Sequence, residues 1–341
     1  MIKVAINGFG RIGRLAFREM ITGTDFDVVA INDLTDAETL AYLLKYDTNH
    51  RSFHEDIISF EANEEEQNIV IKGTKKIRVF AESDPANLPW GELGVDVVLE
   101  CTGHYTDLEG ASKHIEAGAK KVIISAPGKG DMKTIVYGVN SDILDGSETV
   151  ISAASCTTNC LAPVLKVLED NIGIVKGYMT TVHAYTNDQA TLDIPHKKGI
   201  YARRGRACAQ NIVPASTGAA SAIGKVIPSI DGKLDGNAFR VPVPDGSVVD
   251  VTLELARPTT AEEINTLFTN NQNDTLKITM DPVVSSDVIG KKCGSLVDGL
   301  STSVLDTENG QLVKVIAWYD NEMGYTAQMM RTAKKLMNIE K

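Results

Sequence analysis

The chain has 341 residues and a formal net charge of −11, with 43% hydrophobic and 23% charged residues. These proportions are ordinary for a globular protein, and the length allows two domains with large buried cores. The acidic balance disfavours nucleic acid as a primary partner, because phosphate backbones recruit cationic surfaces. No apolar run reaches the length of a membrane span, so we expect no membrane association.

Cysteine usage indicates the cellular compartment. The five cysteines are scattered and odd in number, which is typical of a reducing environment. The first residues form a predicted strand and carry no pattern of a secretory signal. We therefore expect a cytoplasmic protein. Cysteine and histidine residues form no cluster with metal-ligand spacing, so the sequence predicts no metal site.

The N-terminal segment predicts a dinucleotide site. An apolar strand runs directly into a G-x-G-x-x-G pattern, and helical spacing follows it. The predicted cofactor contacts of this turn are Gly8, Gly10, Arg11, Ile12 and Gly13. Backbone N–H groups in such a turn can approach a pyrophosphate at the helix N-terminus. The pattern is weak by itself, but the strand before it and the helix after it supply the required context.

The next predicted strand, residues 28–32, ends at Asp33, about 20 residues after Gly13. A carboxylate there can hydrogen-bond the 2′-hydroxyl of an adenosine ribose and repel a 2′-phosphate. The sequence therefore favours NAD over its phosphorylated form.

Two further apolar runs, residues 95–100 and 121–125, predict parallel strands that are covered on both faces. Ligands of such sheets bind beyond the carboxyl ends of the strands. Thr102, Gly103 and Ser125 are therefore candidate cofactor contacts, although each could equally serve only its turn. Alternating strands and helices over the first 150 residues predict an α/β domain with a Rossmann-type, doubly wound parallel sheet.

The segment Ser155–Cys160 offers a candidate nucleophile. Apolar residues from Leu161 onward repeat at helical spacing, which predicts Cys156 in the first turn of a helix. A helix N-terminus favours a thiolate, so this thiol should ionise readily, and His183 could act as its base or counter-charge. Taken alone, the pair suits a protease or a redox sensor equally well. Cys160 and the other histidines are interpreted as structural or surface residues.

The second half of the chain has a different pattern. Longer β-rich segments at 177–184, 248–255 and 312–319 lack regular intervening helices. They predict an α+β domain with a mixed or antiparallel sheet. The strand-poor stretch 185–209 is expected to be functional or interfacial, because uncommitted loops of that length are rare in compact domains.

Six segments occur in the order typical of one enzyme family. They are Asn7–Arg14, Ser155–Cys160, His183–Thr186, Ser216–Ala220, Phe239–Pro242 and Trp318–Glu322. The chain resembles the phosphorylating, NAD-dependent glyceraldehyde-3-phosphate dehydrogenases over essentially its whole length. The resemblance implies an NAD-binding domain over 1–155, completed by a C-terminal helix over 322–341, and a catalytic domain over 156–321. It also implies a homotetramer in which residues 185–209 lie against a neighbouring subunit's cofactor site.

The resemblance further implies a reaction. D-Glyceraldehyde 3-phosphate would be converted to 1,3-bisphosphoglycerate with reduction of NAD, as in glycolysis. Cys156 would attack the aldehyde carbon to give a hemithioacetal, and His183 would accept the hydroxyl proton as hydride leaves. Inorganic phosphate would then attack the resulting thioester.

Two anion sites and one further cofactor contact also follow from the resemblance. Thr186 and Arg240 would bind the substrate phosphate, Arg204 would lie close to both anions, and Asn321 would bind the nicotinamide carboxamide. The residues assigned to inorganic phosphate are Ser155, Thr157, Thr217 and Gly218. Hydroxyls, backbone N–H groups and guanidinium forks are the donors that phosphate oxygens require.

Two other functions stay open on the sequence. An erythrose-4-phosphate dehydrogenase would share the fold and nucleophile but lose the inorganic-phosphate site, so the intact Ser216–Gly218 segment argues against it. A non-catalytic nucleotide-binding or surface-interaction protein would not need the reactive cysteine, histidine and phosphate ligands together. The chain departs from the family at Ser83, where many members carry an arginine near the adenine, and at Met323, where a tryptophan is frequent.

Overall fold

A computed structural model describes residues 1–73, 75–308 and 310–338, and the chain divides into two compact units. The first unit comprises Met1–Ile135, Ser141–Ala154 and the chain from Met329 onward. The second unit comprises Val136–Asn140 and Ser155–Gln328. The domain limits derived from the sequence, 1–155 with 322–341 and 156–321, stay a prediction, and residues 339–341 lie outside the described part of the chain.

The first unit is built around one sheet. Its strands within the described residues are β1 (Ile2–Asn7), β2 (Phe26–Asn32), β3 (Ile58–Ala62), β4 (Gln67–Ile71), β5 (Lys75–Phe80), β6 (Val97–Glu100), β7 (Lys121–Ile124) and β8 (Val150–Ser152). Its helices are α1 (Arg11–Thr22), α2 (Ala37–Lys45), α3 (Trp90–Leu93) and α4 (Leu108–Glu116), and the end of the last helix, from Met329 onward, also belongs to it. The strand order is β3-β4-β5-β2-β1-β6-β7-β8. The Rossmann-type parallel sheet that the sequence predicted is confirmed for the six neighbouring strands β5-β2-β1-β6-β7-β8.

One edge of this sheet differs from the prediction. β3, β4 and β5 pair antiparallel. The turn between β3 and β4 is short, and the Asn63 side chain accepts hydrogen bonds from the backbone N–H groups of Glu65 and Glu66. A turn of this length reverses the chain at once, whereas a parallel connection needs a longer crossover.

The core of the first unit lies on both faces of the central strands. All four residues of β6 are buried, and Trp90 packs in a cluster with Ala5, Ala30, Val98 and Val122. Burial on both faces explains why these strands read as nearly continuous apolar runs.

The second unit contains a mixed sheet. Its strands within the described residues are β9 (Ile174–Ala184), β10 (Val213–Ser216), β11 (Leu234–Val241), β12 (Ser247–Leu255), β13 (Leu276–Thr279), β14 (Ser295–Asp298), β15 (Ser303–Thr307) and β16 (Gly310–Tyr319). Its helices are α5 (Cys156–Asn171), α6 (Ala219–Val226), α7 (Ala261–Asn270) and the beginning of α8 (Met323–Met337). The order is β10-β11-β9-β12-β16-β14-β13, with β15 on β16. The predicted mixed sheet is confirmed, since β9–β11 and β13–β14 are parallel and the other pairs antiparallel.

The stretch 185–209, all of it described, forms turns and one short 3-10 helix at Ile200–Ala202. In the described part of the chain, no helix is long and apolar enough to cross a membrane.

Candidate active site

The candidate nucleophile lies at the start of α5. Ser155 precedes the helix with an extended backbone (φ −108°, ψ 165°), and its hydroxyl accepts a hydrogen bond from the Thr158 N–H at 3.1 Å. This is the geometry of a serine N-cap. Cys156 is therefore the first residue of the helix, where the N–H groups of the first turn create a partial positive charge.

β9 carries the candidate base to the same place. Cys156 Sγ lies 3.3 Å from His183 Nε2, and His183 is 2% exposed. We call Cys156 and His183 the reactive pair. His183 is in register with Arg240 of the neighbouring parallel strand β11. Residues in register on adjacent strands have side chains on the same face, so the sheet brings Arg240 to the imidazole.

The second ring nitrogen of His183 has two polar neighbours. Nδ1 lies 2.7 Å from the carbonyl oxygen of Ala184 and 2.8 Å from Arg240 Nη1, which also donates to that carbonyl at 3.0 Å. Arginine can only donate, whereas Nδ1 of a neutral ring can donate or accept. When Nδ1 donates to the Ala184 carbonyl, Nε2 is unprotonated and can accept the proton of Cys156.

Burial acts against a charge on either member of the reactive pair. The pKa of His183 is lowered to about 3, mainly by burial and to a smaller extent by the positive charge of Arg240. Burial also raises the pKa of the Cys156 thiol, although Arg240 and hydrogen bonds at Thr157 oppose the rise. The sequence predicted a more acidic thiol at this helix start. Burial opposes that prediction, whereas the charge of Arg240 and the hydrogen bonds at Thr157 favour the thiolate, so the ionisation of this thiol stays a prediction.

Two guanidinium groups converge beside the reactive pair. Arg204 donates a hydrogen bond to Asp188 Oδ2 at 2.7 Å. The pKa of Arg240 is lowered, first by burial and second by the positive charge of Arg204. Arg240 Nη1 lies 3.5 Å from Thr186 Oγ1. Among the described atoms, Arg240 Nε is buried without a hydrogen-bond partner. Two neighbouring guanidinium groups, one of which has an N–H donor without a partner, form a site to which an anion can bind.

The remaining predicted phosphate ligands lie at the ends of two helices. Gly218 occupies the N-cap of α6, and a side chain there would meet no atom within 4 Å, so its backbone faces open space. Thr217 Oγ1 accepts a hydrogen bond from the Ala219 N–H at 3.2 Å. Ser155 and Thr157 flank the candidate nucleophile, but the Ser155 hydroxyl already caps α5.

Tyr319 is a residue of this site that the sequence reasoning missed. Its hydroxyl lies 2.9 Å from both Thr157 Oγ1 and Thr181 Oγ1, and its ring meets the His183 ring edge-on with centroids 5.8 Å apart. Burial raises the pKa of Tyr319, so its hydroxyl stays protonated. The one available signal was its place in the segment Trp318–Glu322, because Tyr319 and Thr181 are 138 residues apart in the chain.

The predicted nicotinamide ligand, Asn321, is also fixed by a residue that was not singled out. The Ser247 hydroxyl donates to Asn321 Oδ1 at 2.6 Å and accepts from the Ala184 N–H at 3.0 Å. Asn321 is 5% exposed. With its carbonyl oxygen engaged, its amide Nδ2 is the group that could donate to a carboxamide oxygen.

The first unit holds a cleft of about 340 Å³ at the carboxyl ends of its strands. Its lining includes Asn7, Gly8, Gly10, Asn32, Asp33 and Thr102. In open α/β sheets this edge is the ligand-binding edge.

Glycine occurs at different positions of the turn beside this cleft for different physical reasons. Gly8 has φ +92°, and a Cβ there would lie 2.7 Å from the Thr102 nitrogen, while a Cβ at Gly13 would lie 2.2 Å from the Gly8 oxygen. The fold itself therefore requires these two glycines. Gly10 has φ −75°, and a Cβ there would meet nothing within 4 Å. A glycine that the fold does not require, in the lining of a cleft, leaves room for close approach of a ligand, which fits a dinucleotide pyrophosphate.

Hydrogen bonds fix the predicted ribose ligand. Asp33 Oδ2 accepts from the Phe9 N–H at 2.7 Å, and Oδ1 accepts from the Thr35 N–H at 3.0 Å. The carboxylate lies in the cleft lining with both oxygens oriented by the backbone. Ser83 lines the same cleft, and the Tyr105 hydroxyl donates to its carbonyl at 2.7 Å.

The other predicted cofactor contacts lie around this edge. Arg11 forms a bidentate ion pair with Asp47. Burial acts to raise the pKa of Asp47, but hydrogen bonds, first that from Arg11, outweigh burial and lower this pKa to about 2. Arg11 and Ile12 begin α1, so their backbone N–H groups are the donors available to a cofactor. Gly103 has φ +72° in the turn after β6, and Ser125 follows β7, with its N–H bonded to the backbone of β6 at 2.9 Å.

A dinucleotide-type cleft on a parallel sheet, and a cysteine–histidine pair beside two arginines, define a class of protein. It is the class of dinucleotide-dependent oxidoreductases that act through a cysteine nucleophile.

Comparison with known proteins identifies the family. Residues 2–108 match the family model of the glyceraldehyde 3-phosphate dehydrogenase NAD binding domain, and residues 155–321 match that of its C-terminal domain. Curated relatives named glyceraldehyde-3-phosphate dehydrogenase are 56% identical in Clostridium pasteurianum, 55% in Clostridium acetobutylicum and 53% in Streptococcus pyogenes, each over 100% of both chains. The chain belongs to the glyceraldehyde-3-phosphate dehydrogenase family, and its cofactor is NAD.

Proposed function

We propose that the protein catalyses the glycolytic oxidation and phosphorylation of D-glyceraldehyde 3-phosphate to 1,3-bisphosphoglycerate, with NAD as oxidant. The observation that carries this proposal is the 3.3 Å contact between the sulfur and nitrogen of the reactive pair, beside Arg240. A thiol and a base at this distance can form and break a bond to an aldehyde carbon. Full-length relatives that carry the name of this enzyme favour it over the alternatives.

In the first step, Cys156 attacks the aldehyde carbon while its proton passes to His183 Nε2. Because burial disfavours a charge on either residue, sulfur–carbon bond formation is coupled to proton transfer. The proton then neutralises the substrate oxygen and gives the hemithioacetal hydroxyl. The N–H group of Cys156 at the helix start can stabilise negative charge that develops on that oxygen.

Arg240 links substrate binding to proton transfer. Its positive charge disfavours an imidazolium at His183, and burial disfavours it further. A substrate phosphate bound by Arg240 and Thr186 would offset that charge. The imidazolium therefore becomes less costly only when a phosphorylated substrate is bound. This coupling favours phosphorylated aldehydes over simple ones.

In the oxidation step, His183 accepts the hydroxyl proton of the hemithioacetal. NAD, when bound, supplies the acceptor for the hydride that leaves the same carbon. The product on Cys156 is a thioester. Removal of a proton and a hydride together balances the two-electron oxidation, and the thiol sulfur stays attached to the acyl carbon.

In the last step, inorganic phosphate attacks the thioester carbon. The proposed ligands are Ser155, Thr157, Arg204, Thr217 and Gly218. The open N-cap of α6 offers backbone N–H groups and a partial positive charge, which suit an anion. The Cys156 sulfur leaves and recovers its proton from His183, which restores the starting state.

We propose a homotetramer in the cytoplasm, with residues 185–209 at a subunit contact. Leu192, Ile194, Ile200 and Tyr201 of this stretch are between 60% and 91% exposed. Apolar side chains that cluster on one exposed loop are typical of protein contact surfaces. Sedimentation of the purified protein measures the subunit number, and a monomer would contradict this part of the proposal.

We also assign the NAD contacts in the first unit to the glycine turn, Asp33, Thr102, Gly103 and Ser125, and the carboxamide contact to Asn321. The first unit is the NAD-binding domain and the second the catalytic domain. These assignments rest on the cleft geometry, on the hydrogen bonds of Asp33 and Asn321, and on the matched family models.

One assay tests the proposed reaction. Purified protein is mixed with glyceraldehyde 3-phosphate and NAD, with and without inorganic phosphate or arsenate, and NADH is followed by absorbance. We expect a single turnover without the anion and sustained turnover with it. Sustained turnover that does not depend on either anion would contradict acyl-phosphate formation. A higher kcat/KM for erythrose 4-phosphate in a parallel series would assign a different substrate.

A further inference from the structure

A buried polar network, which the proposed chemistry does not use, crosses neighbouring strands of the first unit. Its members are Asn7, Asn32, Trp90, Glu100 and His114, none of them more than 5% exposed. Its links are Asn32 Nδ2 to Asn7 Oδ1 (2.7 Å), Asn7 Nδ2 to Glu100 Oε2 (2.5 Å), His114 Nε2 to Glu100 Oε2 (3.1 Å) and Trp90 Nε1 to His114 Nδ1 (2.9 Å). Since β2, β1 and β6 are adjacent and end at Asn32, Asn7 and Glu100, the network follows the carboxyl edge of the sheet.

The direction of each hydrogen bond at the end of this network is determined by Trp90. An indole N–H can only donate, so His114 Nδ1 must accept. The proton of the neutral imidazole is then on Nε2, which donates to the Glu100 carboxylate. Glu100 accepts from both His114 and Asn7 through one oxygen. It is therefore the common acceptor of the network.

The other carboxylate oxygen of Glu100 accepts hydrogen bonds from a residue that lines the cleft. Glu100 Oε1 accepts from the Thr102 N–H at 2.8 Å and from the Thr102 hydroxyl. The Thr102 hydroxyl in turn accepts from the His104 N–H at 3.0 Å. Asn7 and Thr102 line the cleft, whereas Glu100 and His114 do not. One buried carboxylate thus fixes residues on both β1 and the turn after β6.

A structural role alone gives a poor account of this carboxylate. Burial of a charge is costly, and apolar residues of similar volume are often at least as stabilising as a buried charge network. Glu100 and His114 lie directly behind the cleft and determine which polar atoms of Asn7 and Thr102 are presented to it. The energetic cost of burying the Glu100 carboxylate has a functional reason if cofactor binding depends on the orientation of Asn7 and Thr102.

We propose that Glu100 is a positioning residue for NAD, and that His114 and Trp90 hold its carboxylate so that Asn7 and Thr102 keep the orientation that the cofactor requires. This inference rests on the part of the proposed function that puts NAD in this cleft.

The test is the substitution Glu100→Gln. The amide group has one acceptor and one donor, so it must direct an N–H group at either Thr102 or the Asn7–His114 side, where donors already point. We expect the dissociation constant for NAD, measured by equilibrium dialysis, to rise tenfold or more. The KM for NAD should rise with it, while the KM for the aldehyde and the iodoacetamide alkylation rate of Cys156 change less than twofold.

Glu148→Gln is the matched control. Glu148 is a nearly buried carboxylate of the same unit, paired with Lys133 and bonded to the Gly146 N–H, and it does not line the cleft. We expect this variant to lower the melting temperature without a change in NAD affinity. An equal loss of melting temperature in both variants, with unchanged NAD affinity in both, would reduce Glu100 to a structural residue.

His114→Gln gives a second test, because His114 does not line the cleft and can act on NAD only through its neighbours Glu100, Asn7 and Tyr105. We expect a several-fold weaker NAD complex. The double variant should be no weaker than Glu100→Gln alone, since the two residues act in one network. If Glu100→Gln does not fold, wild-type NAD affinity in His114→Gln overturns the inference. Failure of the wild-type protein to bind NAD would instead overturn the proposed function.

Discussion

Removal of the positive charge at Arg240 should make the Cys156 thiol less acidic. The chain of contacts runs 2.8 Å from Arg240 Nη1 to His183 Nδ1, across the imidazole ring, and 3.3 Å from Nε2 to the sulfur. Together these contacts put Arg240 Nη1 within about 8 Å of the sulfur, so the attraction between Arg240 and a thiolate is about 2 kcal/mol at an effective dielectric constant of about 20. That energy corresponds to an about 30-fold smaller equilibrium fraction of thiolate at a given pH when Arg240 becomes Met.

The assay is alkylation of Cys156 by iodoacetamide as a function of pH, because the thiolate is the reacting form. We expect the midpoint of the rate profile to move to higher pH in Arg240→Met, with an about 30-fold lower rate at pH values below the midpoint. Arg240→Lys keeps the charge and serves as the matched control, with a midpoint close to that of the wild-type protein. An unchanged or lower midpoint in Arg240→Met would refute the view that Arg240 favours the thiolate.

Four further predictions follow from the site. Cys156→Ser should lose at least 1,000-fold of the rate of NADH formation, since a hydroxyl is a far weaker nucleophile at neutral pH, while equilibrium dialysis gives unchanged NAD affinity. Asp33→Asn should narrow the ratio of kcat/KM between NAD and NADP, because the charge that repels a 2′-phosphate is gone; a constant ratio would contradict the role of Asp33. Gly10→Ala should weaken NAD binding without a change in melting temperature, since a Cβ there meets no protein atom within 4 Å. Burial and Arg240 depress the folded-state pKa of His183 to about 3, below its unfolded value, so this residue contributes stability above about pH 6.5 that is lost as the pH falls toward 3. The difference in unfolding free energy between wild type and His183→Gln, from urea titrations, should therefore shrink over that range.

Local patterns predicted the parts of the site that depend on neighbours in the chain. Gly13 is required by a backbone contact within the strand–turn–helix itself and Gly8 by its local φ of +92°, so their spacing carries the prediction. Cys156 begins α5 because Ser155 caps it and apolar residues follow at helical spacing. Asp33 directly follows the last residue of β2, where the carboxyl edge of the sheet offers its carboxylate to a ligand.

Pairing between distant segments was beyond the reach of the sequence. The register of β9 and β11 brings Arg240 to His183, and β16 brings the Tyr319 hydroxyl between two threonines of other elements. Neither contact has a signal in residue spacing. The antiparallel edge of the first sheet was also missed, because a period-2 pattern gives strands but not their direction.

By itself, the sequence determined the dinucleotide turn, the helix start that carries Cys156, and the family, because these depend on local order and on whole segments of matching residues. Only the tertiary structure decided the direction of the pKa shifts in the reactive pair and the buried surroundings of Glu100 and His114. Burial sets both, and burial depends on what packs around a side chain. The helix start alone favours a thiolate, whereas burial opposes a charge on both Cys156 and His183.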